Sequence, residues 1–509
     1  MIGFAHGVTS ALYQAACTAF GYGLPAPSTP LPPDIEYAGV QALNEHMARP
    51  GGLTSQALVS YLQQRIKQID QNGPALHSVI ELNPQALEIA RERDRERASG
   101  KIRGPLHGIP VLLKDNIETG DTLQTSAGAF GLVGAPACRD AFIVERLREQ
   151  GAVILGKTNL SELAGFRGGD RPAGWSSRGG QTLNPHRPGA DVGGSSSGAS
   201  AALAAGLAPL AVGTETNGSI VVPAALNGIV GLKPSVGLLS REGIIPASHR
   251  QDTPGPMARS VFDTALLLNA MAGRDPHDTA SIGAPQGVDY TAGLVPGALQ
   301  GKRIGYPALF IQDGTEVTVE NSPQFTRTLE LLKTQGAVLV PVTVRIADAS
   351  RFDDLLLGDV KQELNNYLAT RQGLPAKSIA QLIAFNEQRD GEGDHQPVLK
   401  AINDASLSQE ERDAQWGTFI EDFRGTVDEA VSEHSLDALV SDYETNSYFA
   451  VAAAGYPGIS VPSGIDENAL PTSAYFYGPR WSEATLLAVA YGYEQASRAI
   501  RKPGFRPLE

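Results

Sequence analysis

Apolar positions along this chain fall into helix-like stripes and short unbroken runs, and the two alternate. Leu58, Val59, Leu62, Ile66 and Ile69 trace one helix face, with Thr54 or Ser55 as N-cap and Asn72-Gly73 as the stop. A second helix is predicted from about residue 84 to Gly100, and its alternating arginines and acids at 91–97 read as a solvated face. Residues 109–113 form an apolar run bounded by glycine and a polar turn, which predicts a buried strand delivering Lys114. Residues 142–150 read as helix and 152–155 as strand. An alanine-rich helix follows at 199–207, then an apolar stretch at 207–212. This alternation predicts α/β architecture with a sheet covered on both faces. From 322 to 440 the pattern turns helical and polar, including an acidic stretch at 390–394, and reads as a peripheral region placed to shape a substrate mouth. Residues 452–464 predict a buried strand and 481–500 a closing helix. No internal repeat is visible.

Composition narrows the picture. With 509 residues, 42% hydrophobic and 19% charged, the chain can bury a large core. A net charge of −14 with no basic patch argues against nucleic acid as an obligate partner. Cys17 and Cys138 imply no disulfide framework and favour a reducing, cytoplasmic setting. No run of about 20 apolar residues could span a membrane. Residues 1–34 read as an N-terminal extension: Val8, Leu12, Ala16 and Phe20 recur at helical spacing, and prolines at 25–33 make a linker into a body spanning 35–509. A cleaved signal, and with it a secreted or periplasmic protein, is the alternative for that segment.

Two motif matches fail on context. Residues 151–158, GAVILGKT, fit GxxxxGK followed by Thr, but the four intervening residues are Ala, Val, Ile and Leu. A strand stands where a phosphate loop must be, so Lys157 reads as structural. Residues 194–198, GSSSG, fit the nucleophile elbow with Ser196 as nucleophile. That motif needs a strand entering, and residues 184–191 are loop. His249, His277, His395 and His434 lie downstream in unremarkable settings.

The chemistry concentrates in two glycine-flanked serine turns, GGSSSGAS (193–200) and GTETNGS (213–219), whose Ser195 and Ser219 stand 24 positions apart. Glycine lets backbone N–H groups approach a ligand and take turns that a Cβ forbids. A serine nucleophile needs a base, and a lysine serves if it is neutral. Its pKa, about 10.4 in water, must then be brought down by about 2–3 through burial. Lys114, at the end of an apolar strand, suits that role, with Asp115 and Asn116 beside it to hold it.

The segments GIPVLLKDNIETG, GAVILGKTNLSELA, GGSSSGAS, GTETNGSIVVPAALNGIVGLKPSVG and QDTPGPMARSVFDTALLL, in that order, resemble the amidase signature family. The likeness covers roughly residues 40–500. ELNPQALEIARERDRER and FRGGDRPAGWSSRGGQTLNP make the chain most similar to the peptide amidase branch. The resemblance implies a large single-domain α/β fold with a central twisted mixed β-sheet covered by helices. Its motif core would span about 104–275, and the C-terminal return to core 441–509. It implies Ser219 as nucleophile, Ser195 as bridging serine behind a cis peptide bond, and Lys114 as base. Backbone N–H groups of Thr216, Asn217, Gly218 and Ser219 would form the oxyanion hole. No metal or organic cofactor is implied.

Departures from the family pattern are informative. Asn217 stands where many members have glycine, and asparagine tolerates a left-handed backbone. Ser197 likewise stands where glycine is common. Val221 and Val222 stand where members acting on acidic amides, and the subunit that amidates glutamate on transfer RNA, carry arginine. A neutral or apolar amide, such as a peptide C-terminal amide, is therefore the expected substrate. Phe166, Trp175 and Tyr448 are candidate pocket walls, although ordinary core packing accounts for each equally well. The alternative functions are acyl transfer, aryl-amide or ester hydrolysis, a non-catalytic binding role, or one component of a transfer-RNA amidotransferase.

Overall fold

The computed structural model describes residues 31–505, apart from 169–170, 313, 390–395, 443–444 and 446. The N-terminal helix or signal, Cys17, most of the proline-rich linker, His395 and the acidic stretch at 390–394 lie outside the described residues.

Among the described residues, twelve strands form one mixed sheet. In chain order these are β1 (Val79–Leu82), β2 (Pro110–Lys114), β3 (Val153–Thr158), β6 (Leu210–Glu215), β7 (Val230–Lys233), β8 (Thr253–Ala258), β9 (Arg303–Gln312), β10 (Thr315–Thr318), β11 (Val338–Arg345), β12 (Ala438–Asp442), β13 (Gly458–Ile465) and β14 (Pro471–Tyr477). β4 (Trp175–Ser176) and β5 (Gly180–Gln181) form a separate two-stranded ribbon. The spatial order is β1-β3-β2-β6-β8-β7-β13-β14-β12-β9-β10, with β11 also on β9.

What matters for the site is the centre of this sheet. β2 runs parallel to β3 on one side and to β6 on the other, with Leu112 opposite Ala211 and Leu113 opposite Val212. Every residue of β2, β3 and β6 is buried, the apolar start of each strand and its polar end, Lys114, Lys157-Thr158 or Thr214-Glu215, alike. Helices cover both faces, among them Ser197–Ala204, Val221–Asn227, Val261–Met271 and Glu483–Ser497.

The sequence-read elements reappear with shifts at their ends. Thr54 caps the helix Ser55–Arg65, its side chain accepting from the Ala57 N–H, and residues 66–70 continue it as a π-turn. Residues 452–464 are not one strand: the helix Ser447–Ala453 ends there and β13 begins at Gly458, because Gly455 and Pro457 break the run between them. Within 322–440 the helices enclose β11, which pairs with β9, so that stretch also feeds the sheet. Alternation at 338–345 marks β11 as a half-buried strand.

Candidate active site

Lys114 emerges from the end of β2 into full burial. Its Nζ donates to Ser195 Oγ at 2.7 Å and to the Thr214 carbonyl at 3.1 Å. Burial lowers its pKa to about 7, against the opposing pull of the Glu215 and Asp252 carboxylates. A lysine so placed is neutral in a good fraction of molecules near neutral pH and can accept a proton from the serine it touches. Asp115 and Asn116, expected to hold it, do not. The Asp115 carboxylate accepts from Ser126 and from the Gly128 N–H, and Asn116 Nδ2 donates to Thr214 Oγ1 at 3.0 Å.

Ser195 follows a cis peptide bond from Gly194. A Cβ at Gly194 would lie 2.4 Å from Ser161 Oγ, so a larger residue there would push that hydroxyl off the Gly174 N–H it accepts from. The two serine turns touch directly, the Ser196 N–H donating to the Ser219 carbonyl at 3.0 Å. Ser196 itself is fully buried, and its hydroxyl donates to the Thr214 carbonyl and accepts from the Thr214 N–H. Occupied in this way and without a histidine partner among the described residues, Ser196 is not an elbow nucleophile. Ser197 uses its hydroxyl on the Gly193 carbonyl at 2.5 Å, a bond the more common glycine could not make.

Ser219 stands at the end of a turn folded around the Glu215 carboxylate. That carboxylate accepts from the N–H groups of Gly218 (2.8 Å), Ile220 (2.7 Å) and Val221 (3.1 Å). Gly218 must therefore be withdrawn from the expected oxyanion donors, because its N–H already has a carboxylate acceptor. The N–H groups of Thr216, Asn217 and Ser219 find no acceptor among the described residues. The left-handed residue of the turn is Gly218, at φ +78°, and not Asn217. Asn217 instead extends Nδ2 to the Phe449 carbonyl at 3.4 Å. Ser219 is 9% exposed, and its hydroxyl makes no hydrogen bond to Ser195 among the described residues. Neither Glu215 nor Asp252 is picked out by the sequence reading, although both lie inside the quoted motifs; an acidic residue at the end of the buried β6 is the signal that was available for Glu215.

The family model described as Amidase matches residues 57–441. The chain belongs to the amidase signature family. A probable amidase of Arabidopsis thaliana is 40% identical over 470 residues, covering 89% of this chain and 88% of that protein. The native peptide amidase of Stenotrophomonas maltophilia superposes with a TM-score of 0.85 at 44% identity, over 94% of this chain and all of that one. A glutamyl-tRNA(Gln) amidotransferase component from Thermosynechococcus vestitus is 33% identical over 90% of this chain and 98% of that protein. As a member of this family the protein is an amidohydrolase acting on linear amide C–N bonds.

Beside the amidase turn opens a cavity of about 940 Å³, reaching from Thr214, Glu215 and Thr216 past Ile244–Ala247 to Tyr367 and Arg371. None of the five sequence candidates for the pocket lines it. Phe166 lines a smaller hollow beside Asn116 and Ala164. Tyr448 and Val222 pack against Gly218, where an added Cβ would meet them at 2.9 and 3.2 Å. Val221 is buried in the core, its N–H donating to Glu215 and its carbonyl accepting from Ser460, and Val222 is the valine whose side chain meets Gly218. Trp175 lies on the β4–β5 ribbon with the Arg171 guanidinium stacked 4.2 Å from its ring centre.

Gly218→Ala is expected to lower turnover by more than about tenfold while the protein still folds. Holding a Cβ-bearing residue at this positive φ costs about 1–2 kcal/mol, and the added methyl also drives against Tyr448. Steady-state rates alongside a circular dichroism melt would check both halves. Unchanged turnover would mean that the turn tolerates displacement.

Lys157, the residue of the discounted phosphate loop, lies within β3 and is fully buried. It donates to the Ile117 carbonyl at 2.5 Å and to Thr125 Oγ1 at 3.0 Å, and burial lowers its pKa to about 8. Among the described residues no group of three His, Cys, Asp or Glu could hold a metal ion, and no helix is long and apolar enough to cross a membrane.

Proposed function

We propose that the protein hydrolyses neutral carboxylic amides, the C-terminal amide of a peptide foremost, through an acyl-enzyme on Ser219. The observation that carries this reading is the buried Lys114 amine held 2.7 Å from Ser195 Oγ with its pKa near 7. Lys114 takes the Ser195 proton as Ser195 takes that of Ser219. Ser219 Oγ then attacks the amide carbon, and the carbonyl oxygen becomes an oxyanion facing the N–H groups of Thr216, Asn217 and Ser219. Each well-aimed donor contributes about 10²–10³ in rate. The tetrahedral centre collapses, the C–N bond breaks, and the proton returns through Ser195 to the departing ammonia. Water, activated by the same relay, cleaves the ester and restores Ser219. The Ser219–Ser195 link closes as substrate enters, catalytic hydrogen bonds being commonly long in free enzymes.

Val222 beside the turn, in place of a cation, supports a substrate without a carboxylate next to the scissile carbonyl. The 44% identity to a peptide amidase over nearly the whole chain supports a peptide amide. The deciding measurement is ammonia release from a blocked dipeptide amide by the isolated chain. Release without ATP or partner proteins would support this reading over that of an amidotransferase component. No release from folded protein would overturn the peptide-amide assignment and redirect the search to aryl amides, esters and acyl transfer.

A further inference from the structure

The turn that carries Ser219 is braced on two sides. Glu215 fixes its inner side through three backbone N–H groups. On the side facing the cavity, Thr216 Oγ1 donates to Asp252 Oδ1 at 2.6 Å. The other oxygen of Asp252 accepts from the N–H groups of Ala247 (2.7 Å) and Ser248 (2.8 Å). Ala247 and its neighbours form the wall of the 940 Å³ cavity. The same wall is tied back at its near end, where the Ile245 N–H donates to the Asn116 carbonyl at 2.9 Å and Asn116 Nδ2 grips Thr214 Oγ1. Turn and wall thus form a closed circuit: Thr214, Asn116, Ile245, Ala247–Ser248, Asp252, Thr216.

We propose that Asp252 is a positioning residue that aims the Thr216 N–H at the developing oxyanion and links that aim to the wall of the cavity. This inference rests on the reading of Thr216 as an oxyanion donor. Thr216 is the first residue after β6, so its peptide plane leaves the restraint of the sheet where the donor must point. A hydroxyl held at 2.6 Å by a carboxylate with three donors fixes the side chain and the backbone that bears it. A substrate filling the cavity presses on residues 244–247 and, through Asp252, on the donor. An amide that fits the wall therefore meets an aligned hole, and one that displaces the wall meets a misaligned one. Asp252 touches no reacting atom in this scheme.

The test uses Asp252→Asn, Thr216→Val and the double variant, with Thr216→Ser as the conservative control, on whichever amide the wild type turns over best. Misaiming one donor is expected to lower kcat by on the order of 10²-fold, with KM changing less than about threefold. Thr216→Ser, which keeps the tethering hydroxyl, is expected to retain kcat within about threefold. The double variant should lose no more than the worse single variant, because both remove one link. Losses that multiply in the double variant, or a rise in KM at constant kcat, would overturn the proposal. Should Asp252→Asn fail to fold, Thr216→Val against Thr216→Ser decides alone: equal rates overturn it. A wild type inactive on every amide would instead strike the proposed function, which separates the two failures.

Discussion

Ser219→Ala abolishes ammonia release, lowering kcat by on the order of 10⁴–10⁶, while the protein unfolds at the same midpoint as the wild type. Two points combine in that expectation. In the proposed mechanism the hydroxyl is the oxygen that attacks a carbonyl lying under the Thr216, Asn217 and Ser219 N–H groups. It also makes no hydrogen bond with Ser195 among the described residues, so its removal breaks no such bond of the folded state. A substitution of this kind shifts stability by less than about 0.5 kcal/mol. Ammonia assays, a denaturant melt and labelling by a fluorophosphonate together test it. Residual turnover within tenfold of wild type, or retained labelling, would remove Ser219 as the nucleophile.

Lys114→Met is expected to cost about 10²–10⁴ in kcat, the usual contribution of a positioned base. The wild type carries the sharper test. Burial holds the charged amine at a disadvantage and sets its pKa near 7, while Glu215 and Asp252 pull the other way. In the proposed mechanism the neutral amine is the active form. Activity should therefore be level above about pH 8 and fall tenfold per unit below about pH 6, with the bend near 7. A profile of kcat/KM across about pH 5–9 reads it directly. A flat acid side would show that Lys114 is not the titrating base.

Much of this was legible in the residues. The apolar run at 109–113 becomes the buried β2, and Lys114 lies where that run ends. The glycines of the two serine turns mark places where a Cβ would collide or a left-handed φ is needed, as at Gly194 and Gly218. Local chemistry of this kind is written in neighbouring residues. The second partner of Lys114, the Thr214 carbonyl, was not, because Thr214 lies 100 positions away and reaches it only through the pairing of β2 with β6. Asp252 and the cavity wall were hidden for the same reason. An isolated aspartate before Thr-Pro reads as a turn residue until folding sets it against Thr216. Gly218 was misread for a subtler cause: a free N–H and one already taken by Glu215 look identical in sequence.

The base and the nucleophile turn sit at the ends of two adjacent parallel strands, whose spacing of about 4.8 Å is fixed by backbone hydrogen bonds. The hollow beside them is closed off by residues 244–247 and the helix Phe352–Thr370, which supplies Tyr367 and Thr370. The near side of that hollow is Thr214 and Glu215 at the end of β6 itself and Thr216 just after it, while its far side belongs to a helix distant in the chain. The far helix, which among the described residues has no tie to Asp252 at Tyr367 or Thr370, gives an engineer a place to work at a distance from the serine turn.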